Sequence, residues 1–242
     1  SGNIPYLTIH DKPAFSHRGF LIDCCRHFFT VEELKKMIDA AALFKFNKFH
    51  WHLTEDQGWR MEIKKYPLLT EKGSQRPYSN FGRYYDSKPY GGFYTQEEMK
   101  DIVEYCRKKS IDVIPEIEIP GHSSACLHAY PHLSCTGKEV PVRTHAGIFK
   151  DILCAGKEEV YEFLFNVIDE MTAIFPGEYI HIGGDEAPKD RWKECPHCNR
   201  KMRELGLENY EQLQGYMLNR IYDHLQKKGK QAITWNESLR GG

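Results

Sequence analysis

Tyr179-Ile180-His181-Ile182-Gly183-Gly184-Asp185-Glu186 is a short apolar strand that stops at two glycines and then presents two adjacent carboxylates. Upstream of it Val160, Phe163, Leu164, Val167 and Met171 recur at helical spacing. Downstream, Leu213, Tyr216, Met217, Ile221 and Leu225 form a second helical stripe before another apolar run at 231–235. Towards the start of the chain the same unit repeats. A strand at 19–22 precedes Thr30 and Glu33, a capping box that opens the stripe Val31, Leu34, Ile38 and Ala41. A strand at 46–53 leads through a loop rich in Gly, Pro, Ser and Tyr to Thr95 and Glu98, a second capping box, and a helix carrying Ile102, Val103 and Cys106. A strand at 112–117 completes the series. Helices alternating with apolar strands predict a parallel sheet, because parallel neighbours need a crossover between them.

The class is therefore α/β, of the (β/α)8 barrel type, with residues 1–17 as a lead-in and the barrel spanning 18–242. About five βα units are counted where a closed barrel has eight, so the barrel reads as incomplete and truncated before its last strands. An open sheet would leave two unpaired edges, a route to self-association. A doubly wound sheet is the structural alternative, but it ordinarily has a glycine-rich first turn, which is absent here. At 242 residues, 40 % hydrophobic and 28 % charged, the chain has the balance of a folded domain, and its net charge of -1 offers nothing to a phosphate backbone, which excludes nucleic acid as a natural partner. No run of about 18 apolar residues is present, so membrane insertion is not expected. Ser1 to Tyr6 lack the regions of a signal peptide and read as a domain boundary.

The residues with chemistry follow the strands: Asp23 and Arg26, His50 to Asp56, Glu116 to His122, Asp185 and Glu186, and Trp235 to Glu237. A single loop charge is ordinarily just solvated. Five sets at the carboxyl ends of successive strands are more economically one cavity on the rim where barrels place their active sites. Gly183 and Gly184 are expected to let a ligand approach the backbone. Two carboxylates divide acid and base duties when their environments separate the pKa values, the more buried one staying protonated to donate to a leaving group. Ordinary glycosidases hold that pair on opposite sides of the sugar, about 5–9.5 Å apart, which neighbours in sequence do not easily achieve. The pair therefore points to a nucleophile supplied by the substrate, such as a 2-acetamido oxygen.

The segments Arg18 to Asp23 with Arg26-His27-Phe28, Asn47 to Asp56, Gly92 to Thr95, Pro115 to His122, His181 to Glu186 and Thr234-Trp235 together resemble the family 20 glycoside hydrolases, the β-N-acetylhexosaminidases, over nearly the whole chain. The resemblance implies removal of terminal β-linked N-acetylglucosamine or N-acetylgalactosamine from a glycan, without metal or organic cofactor, by a retaining mechanism through an oxazoline. It implies Glu186 as general acid and then base, Asp185 as the group orienting the acetamide, and His122 behind Glu186 with Glu55 as its partner. It further implies Arg26 on the outer sugar hydroxyls, Trp235 in the apolar wall, and a secreted or periplasmic location. Two departures stand out: Glu55 occupies a place where the family usually has Asp, and the later strands that bring a tyrosine, a tryptophan and an acidic residue are missing.

Rival readings come from other residues. His50 and His52, with His181 and Asp185, could ligate zinc for a metal-dependent barrel hydrolase. The same pocket without turnover would make a sugar-binding module. Cys195-Pro196-His197-Cys198 has the spacing of half a structural zinc site, with Cys135, Cys154 or a histidine to complete it; the plainer expectation is free thiols in a surface loop. Cys24 and Cys25 read as small buried apolar residues.

Overall fold

A computed structural model describes residues 5–241; Ser1–Ile4 of the lead-in and Gly242 lie outside the described residues. Five strands form one parallel sheet in sequence order: β1 (Gly19–Asp23), β2 (Lys48–His52), β3 (Asp112–Glu116), β4 (Tyr179–His181) and β5 (Gln231–Ile233). Between them run four long helices, α1 (Val31–Leu43), α2 (Gln96–Arg107), α3 (Glu158–Ile174) and α4 (Tyr210–Lys227). The expected alternation is thus present; the first strand runs one residue past its expected end, to Asp23, and the other four stop one or two residues early because the last residues belong to the rim.

Both capping boxes form. The Thr30 side chain accepts from the Glu33 N–H while the Glu33 carboxylate accepts from the Thr30 N–H at 2.7 Å, and Thr95 with Glu98 repeats the arrangement. Each satisfies two otherwise orphaned donors, and an N-cap of this kind contributes about 1 kcal/mol. The helices lay their apolar stripes on the sheet face that carries Ile22, Phe49, Trp51, Val113 and Ile180, which meets Leu34, Ile38, Ile102, Val167 and Ile221 in a single core. Trp51 is fully buried there, and truncating it to Ala would cost about 3–5 kcal/mol. Side chains alternate across a strand. The opposite face therefore carries Leu21, His50 and Ile114, in register with one another, and Leu21 remains 44 % exposed.

Returns from helix to strand take only a few residues, whereas the long connections all follow strands and crowd one rim. The longest begins with the hairpin Thr54–Glu55/Gly58–Trp59 and is pinned by two arginines. The buried Arg60 guanidinium donates to the carbonyls of Cys24, Cys25, Ser74 and Gly92, and Arg76 donates to those of Cys25, Gln57 and Arg26. Four carbonyls on one planar cation fix the loop against the end of β1. Among the described residues, no helix is long and apolar enough to cross a membrane.

The cysteines correct an expectation. Cys195 and Cys198 are buried rather than loop thiols at the surface, because the short helix Asp190–Glu194 folds back and inserts them beneath the loop that carries Cys154. Cys24 and Cys25 are fully buried at the end of β1, as read.

Candidate active site

Parallel register places Asp23, His52, Glu116 and His181 side by side at the carboxyl ends of β1 to β4. Glu116 is completely buried and gathers the row: His52 Nδ1 lies at 2.5 Å, His50 Nε2 at 2.8 Å and His181 Nδ1 at 2.9 Å, and the Trp235 indole N–H donates to it at 2.9 Å. Burial alone would raise its pKa, but His181, His50 and His52 overcome that and hold it far below the usual carboxylate range. This nest was not recognised as such in the sequence. Of the four residues in the metal reading, His50, His52 and His181 turn ring nitrogens to Glu116, while Asp185 lies apart from them beside His122.

His52 passes the contact on through Nε2 to Glu55 Oε2 at 3.2 Å. Glu55 is buried and receives Arg26 Nη2 at 2.9 Å on the same oxygen, while its Oε1 stands 2.7 Å from His122 Nδ1. Burial pushes the Glu55 pKa up, and His122, His52 and Arg26 drive it well below normal. Arg26 is further fixed by Asp23 Oδ2 at 2.7 Å, so the position predicted to grip hydroxyls points into the rim with its guanidinium already ordered.

His122 is where the predicted residues meet. Its Nδ1 makes a hydrogen bond to Asp56 Oδ2 at 3.1 Å besides the ion pair with Glu55. Its Nε2 lies 3.4 Å from Glu186 Oε2 and 3.6 Å from Asp185 Oδ2. Burial disfavours the imidazolium, yet the carboxylates of Asp185, Asp56 and Glu55 raise its pKa far above the ordinary value. Asp56, which the sequence reading placed in the set His50 to Asp56 without giving it a role, is a second partner of His122. Its other oxygen accepts the Ser124 N–H at 2.8 Å, so it also anchors the loop carrying His122. Its only signal in the sequence was a second acid directly after Glu55.

The Gly183-Gly184-Asp185-Glu186 turn explains its own composition. Gly183, Gly184 and Glu186 have φ of 66°, 102° and 42°, the left-handed region that costs most residues energy. A Cβ on Gly183 would stand 2.1 Å from Glu118 Oε2, and one on Gly184 3.0 Å from Ser238. The glycines thus make room for the protein's own side chains, a need the sequence reading did not include. Glu186 is held in its strained conformation by its N–H, which donates to Glu237 Oε2 at 2.7 Å.

The two carboxylates differ in burial. Asp185 is the sheltered member, with 24 % of its side chain exposed against 43 % for Glu186. Burial raises the Asp185 pKa, but His122 outweighs it and leaves the carboxyl below normal, so this sheltered acid is ionised at neutral pH. Glu118 behaves oppositely: burial and then the neighbouring Glu116 charge raise its pKa well above normal. Glu186 faces a cleft bordered by Ile148, Lys189, Gln214 and Glu237. Trp235 stands on the concave sheet face, its ring 4.7 Å from that of His181 and 5.7 Å from that of His50.

Comparison with known proteins shows the family and the overall fold. The model of the glycosyl hydrolase family 20 catalytic domain matches residues 15–242. A beta-hexosaminidase of Porphyromonas gingivalis is 53 % identical over 99 % of this chain and 30 % of its own length. A solved beta-N-acetylhexosaminidase from Bacteroides fragilis superposes with a TM-score of 0.81 at 42 % identity, covering 92 % of this chain and 42 % of that one. An exo beta-N-acetylglucosaminidase from Vibrio harveyi, solved with N-acetylglucosamine, gives a TM-score of 0.84 at 37 % identity over 96 % of this chain and 37 % of its own. The chain spans less than half the length of these relatives.

Proposed function

The chain belongs to glycosyl hydrolase family 20, and on that premise we propose that it carries the acid-base half of a site that removes terminal β-linked N-acetylhexosamine from glycans. The observation that carries the reading is the convergence of adjacent Asp185 and Glu186 on one nitrogen of His122, with Glu186 open to the cleft and Asp185 sheltered and ionised. Carboxylates gathered on one side of a sugar serve a substrate that brings its own nucleophile.

In the proposed reaction the Glu186 carboxyl gives its proton to the glycosidic oxygen as the acetamido oxygen attacks the anomeric carbon and the bond to the leaving group breaks. The Asp185 carboxylate accepts the acetamide N–H and stabilises the charge that develops as the oxazoline closes. Glu186, now a carboxylate, takes a proton from the water that opens the ring, so the configuration is retained. His122, backed by Asp56 and Glu55, keeps both carboxylates in place; Arg26 meets outer hydroxyls and the Trp235 ring covers an apolar sugar face.

The sheet is proposed to be the first five strands of a (β/α)8 barrel. Its sequential parallel order and the close superposition on part of longer relatives support this, as does the exposed Leu21 on the concave face. The remaining wall would come from outside these 242 residues or from a second copy.

The test is nitrophenol release from the nitrophenyl β-N-acetylglucosaminide, beside the matching β-glucoside. Turnover of the acetamido substrate alone is expected, and Glu186→Gln and Asp185→Asn should each lower it by roughly two to four decades. Equal rates in wild type and both variants, or comparable turnover of the glucoside, would refute the assignment.

A further inference from the structure

We propose that Cys135, Cys154, Cys195 and Cys198 bind one zinc ion as four thiolates, at a structural site that ties the loop after β3 to the loop after β4. The four sulfur atoms all lie within 4.8 Å of one another. Their close separations are 3.6 Å for Cys154–Cys198, 3.7 Å for Cys154–Cys195 and 3.8 Å for Cys135–Cys198. A tetrahedral ion with Zn–S bonds of about 2.3 Å requires sulfur–sulfur edges of about 3.8 Å. Thiols paired for disulfides would instead show one close partner apiece, whereas Cys154 and Cys198 each stand within 3.8 Å of two neighbours.

The surroundings fit a closed site. Cys195 caps the helix Pro196–Leu205 and Cys198 lies in its first turn, the Cys-x-x-Cys spacing typical of zinc knuckles. Gly156 lets its strand of chain lie on that turn: a Cβ there would stand 2.2 Å from the His197 carbonyl carbon and 2.3 Å from the Cys198 nitrogen. Trp192 Nε1 donates to the Leu153 carbonyl at 2.9 Å, and Lys157 Nζ donates to the carbonyls of His132 and Ser134 beside Cys135. Thiolates favour zinc over calcium or magnesium. Three ligands are buried and Cys135 is partly exposed, which gives the ion a way in. Binding would release four thiol protons to the solvent, and a site with four protein ligands leaves no position for a reacting water. One of the tied loops carries His122 and the other Asp185 and Glu186, so the ion would hold the two halves of the acid-base assembly in place from behind.

Metal analysis of the purified 242-residue chain, made without added metal, tests this. About one zinc per chain is expected, released in step with the modification of four cysteines by a mercurial reagent. Cobalt substitution should give the absorption bands of a tetrahedral tetrathiolate. Cys135→Ser, which alters the least buried ligand, should retain the fold at low temperature while losing zinc on dialysis against a chelator that leaves the wild type loaded. Chelation of the wild type under harsher conditions should lower its unfolding midpoint. A folded wild-type chain without zinc, whether its four thiols are free or joined in disulfides, would overturn the proposal, as would undiminished zinc retention by both Cys135→Ser and Cys198→Ser.

Discussion

Replacing His122 by Gln removes the cation on which four carboxylates converge while keeping a side chain of similar reach. Its ring lies 2.7 Å from Glu55 and 3.1 Å from Asp56, and all three side chains are at most 3 % exposed, so solvent screens little of the interaction. At an effective dielectric of about 20, a unit pair at the shorter distance interacts by roughly 6 kcal/mol, most of which desolvation offsets. Removing one partner of such a buried pair typically costs about 3–5 kcal/mol, because the other charge is left uncompensated. The contacts to Asp185 and Glu186, with 24 % and 43 % of those side chains exposed, add less than about 1 kcal/mol. His122→Gln should therefore lose about 3–5 kcal/mol in urea unfolding at pH 7, or roughly 6–20 °C in midpoint for a domain of this size. The raised His122 pKa gives stability that is complete below its unfolded value near 6.5 and persists at pH 7, since its folded value lies far higher. The depressed Glu55 pKa gives stability that is present above its unfolded value of 4.5 and is lost as pH falls. The gap between wild type and variant should hold from pH 7 to about 5 and narrow on further acidification. A loss below about 1 kcal/mol, or a gap that widens towards pH 4, would refute this account of the cluster.

Two other substitutions probe the rim. Gly183→Ala forces a Cβ into left-handed backbone 2.1 Å from Glu118 Oε2, and should lower unfolding free energy by at least about 1–3 kcal/mol, measured by urea titration; an unchanged midpoint would contradict the close approach. Trp235→Phe keeps the ring but removes the N–H that meets the buried Glu116 carboxylate, and is expected to cost about 1.5–3 kcal/mol in the same assay, while Trp235→Leu should cost no less.

Much of the architecture was legible because it is written at short range. Capping boxes at Thr30/Glu33 and Thr95/Glu98, helical stripes and apolar strands involve residues within a turn or two of each other, and all appear where read. The gathering of Arg26, Glu55, His122, Asp185 and Glu186 on one rim followed from their shared place after strands. What escaped depends on distances that no local pattern encodes. Whether Glu55 or Asp56 serves His122 turns on a hairpin that presents both, and the structure uses both. The rule that the more buried carboxyl stays protonated fails at Asp185 because it weighed desolvation without the His122 cation beside it. The glycines looked made for a ligand because Glu118, 65 residues upstream of Gly183, could not be seen pressing on one of them. Cys135 and Cys154 stood only as candidates, beside a histidine, to meet Cys195 and Cys198, since the Cys-x-x-Cys spacing supplies only half of a cluster.

The central claim is that Asp185 engages the acetamide while Glu186 handles the proton, and calorimetric titration with a thiazoline analogue of the cyclised intermediate tests it most directly. The account predicts one binding site per chain, no binding of a glucose-derived analogue without the acetamide-derived ring, and affinity lowered about 10- to 100-fold by Asp185→Asn, the value of one hydrogen bond to a charged group. Unchanged affinity in Asp185→Asn, or equal binding of the analogue that lacks that ring, would contradict it.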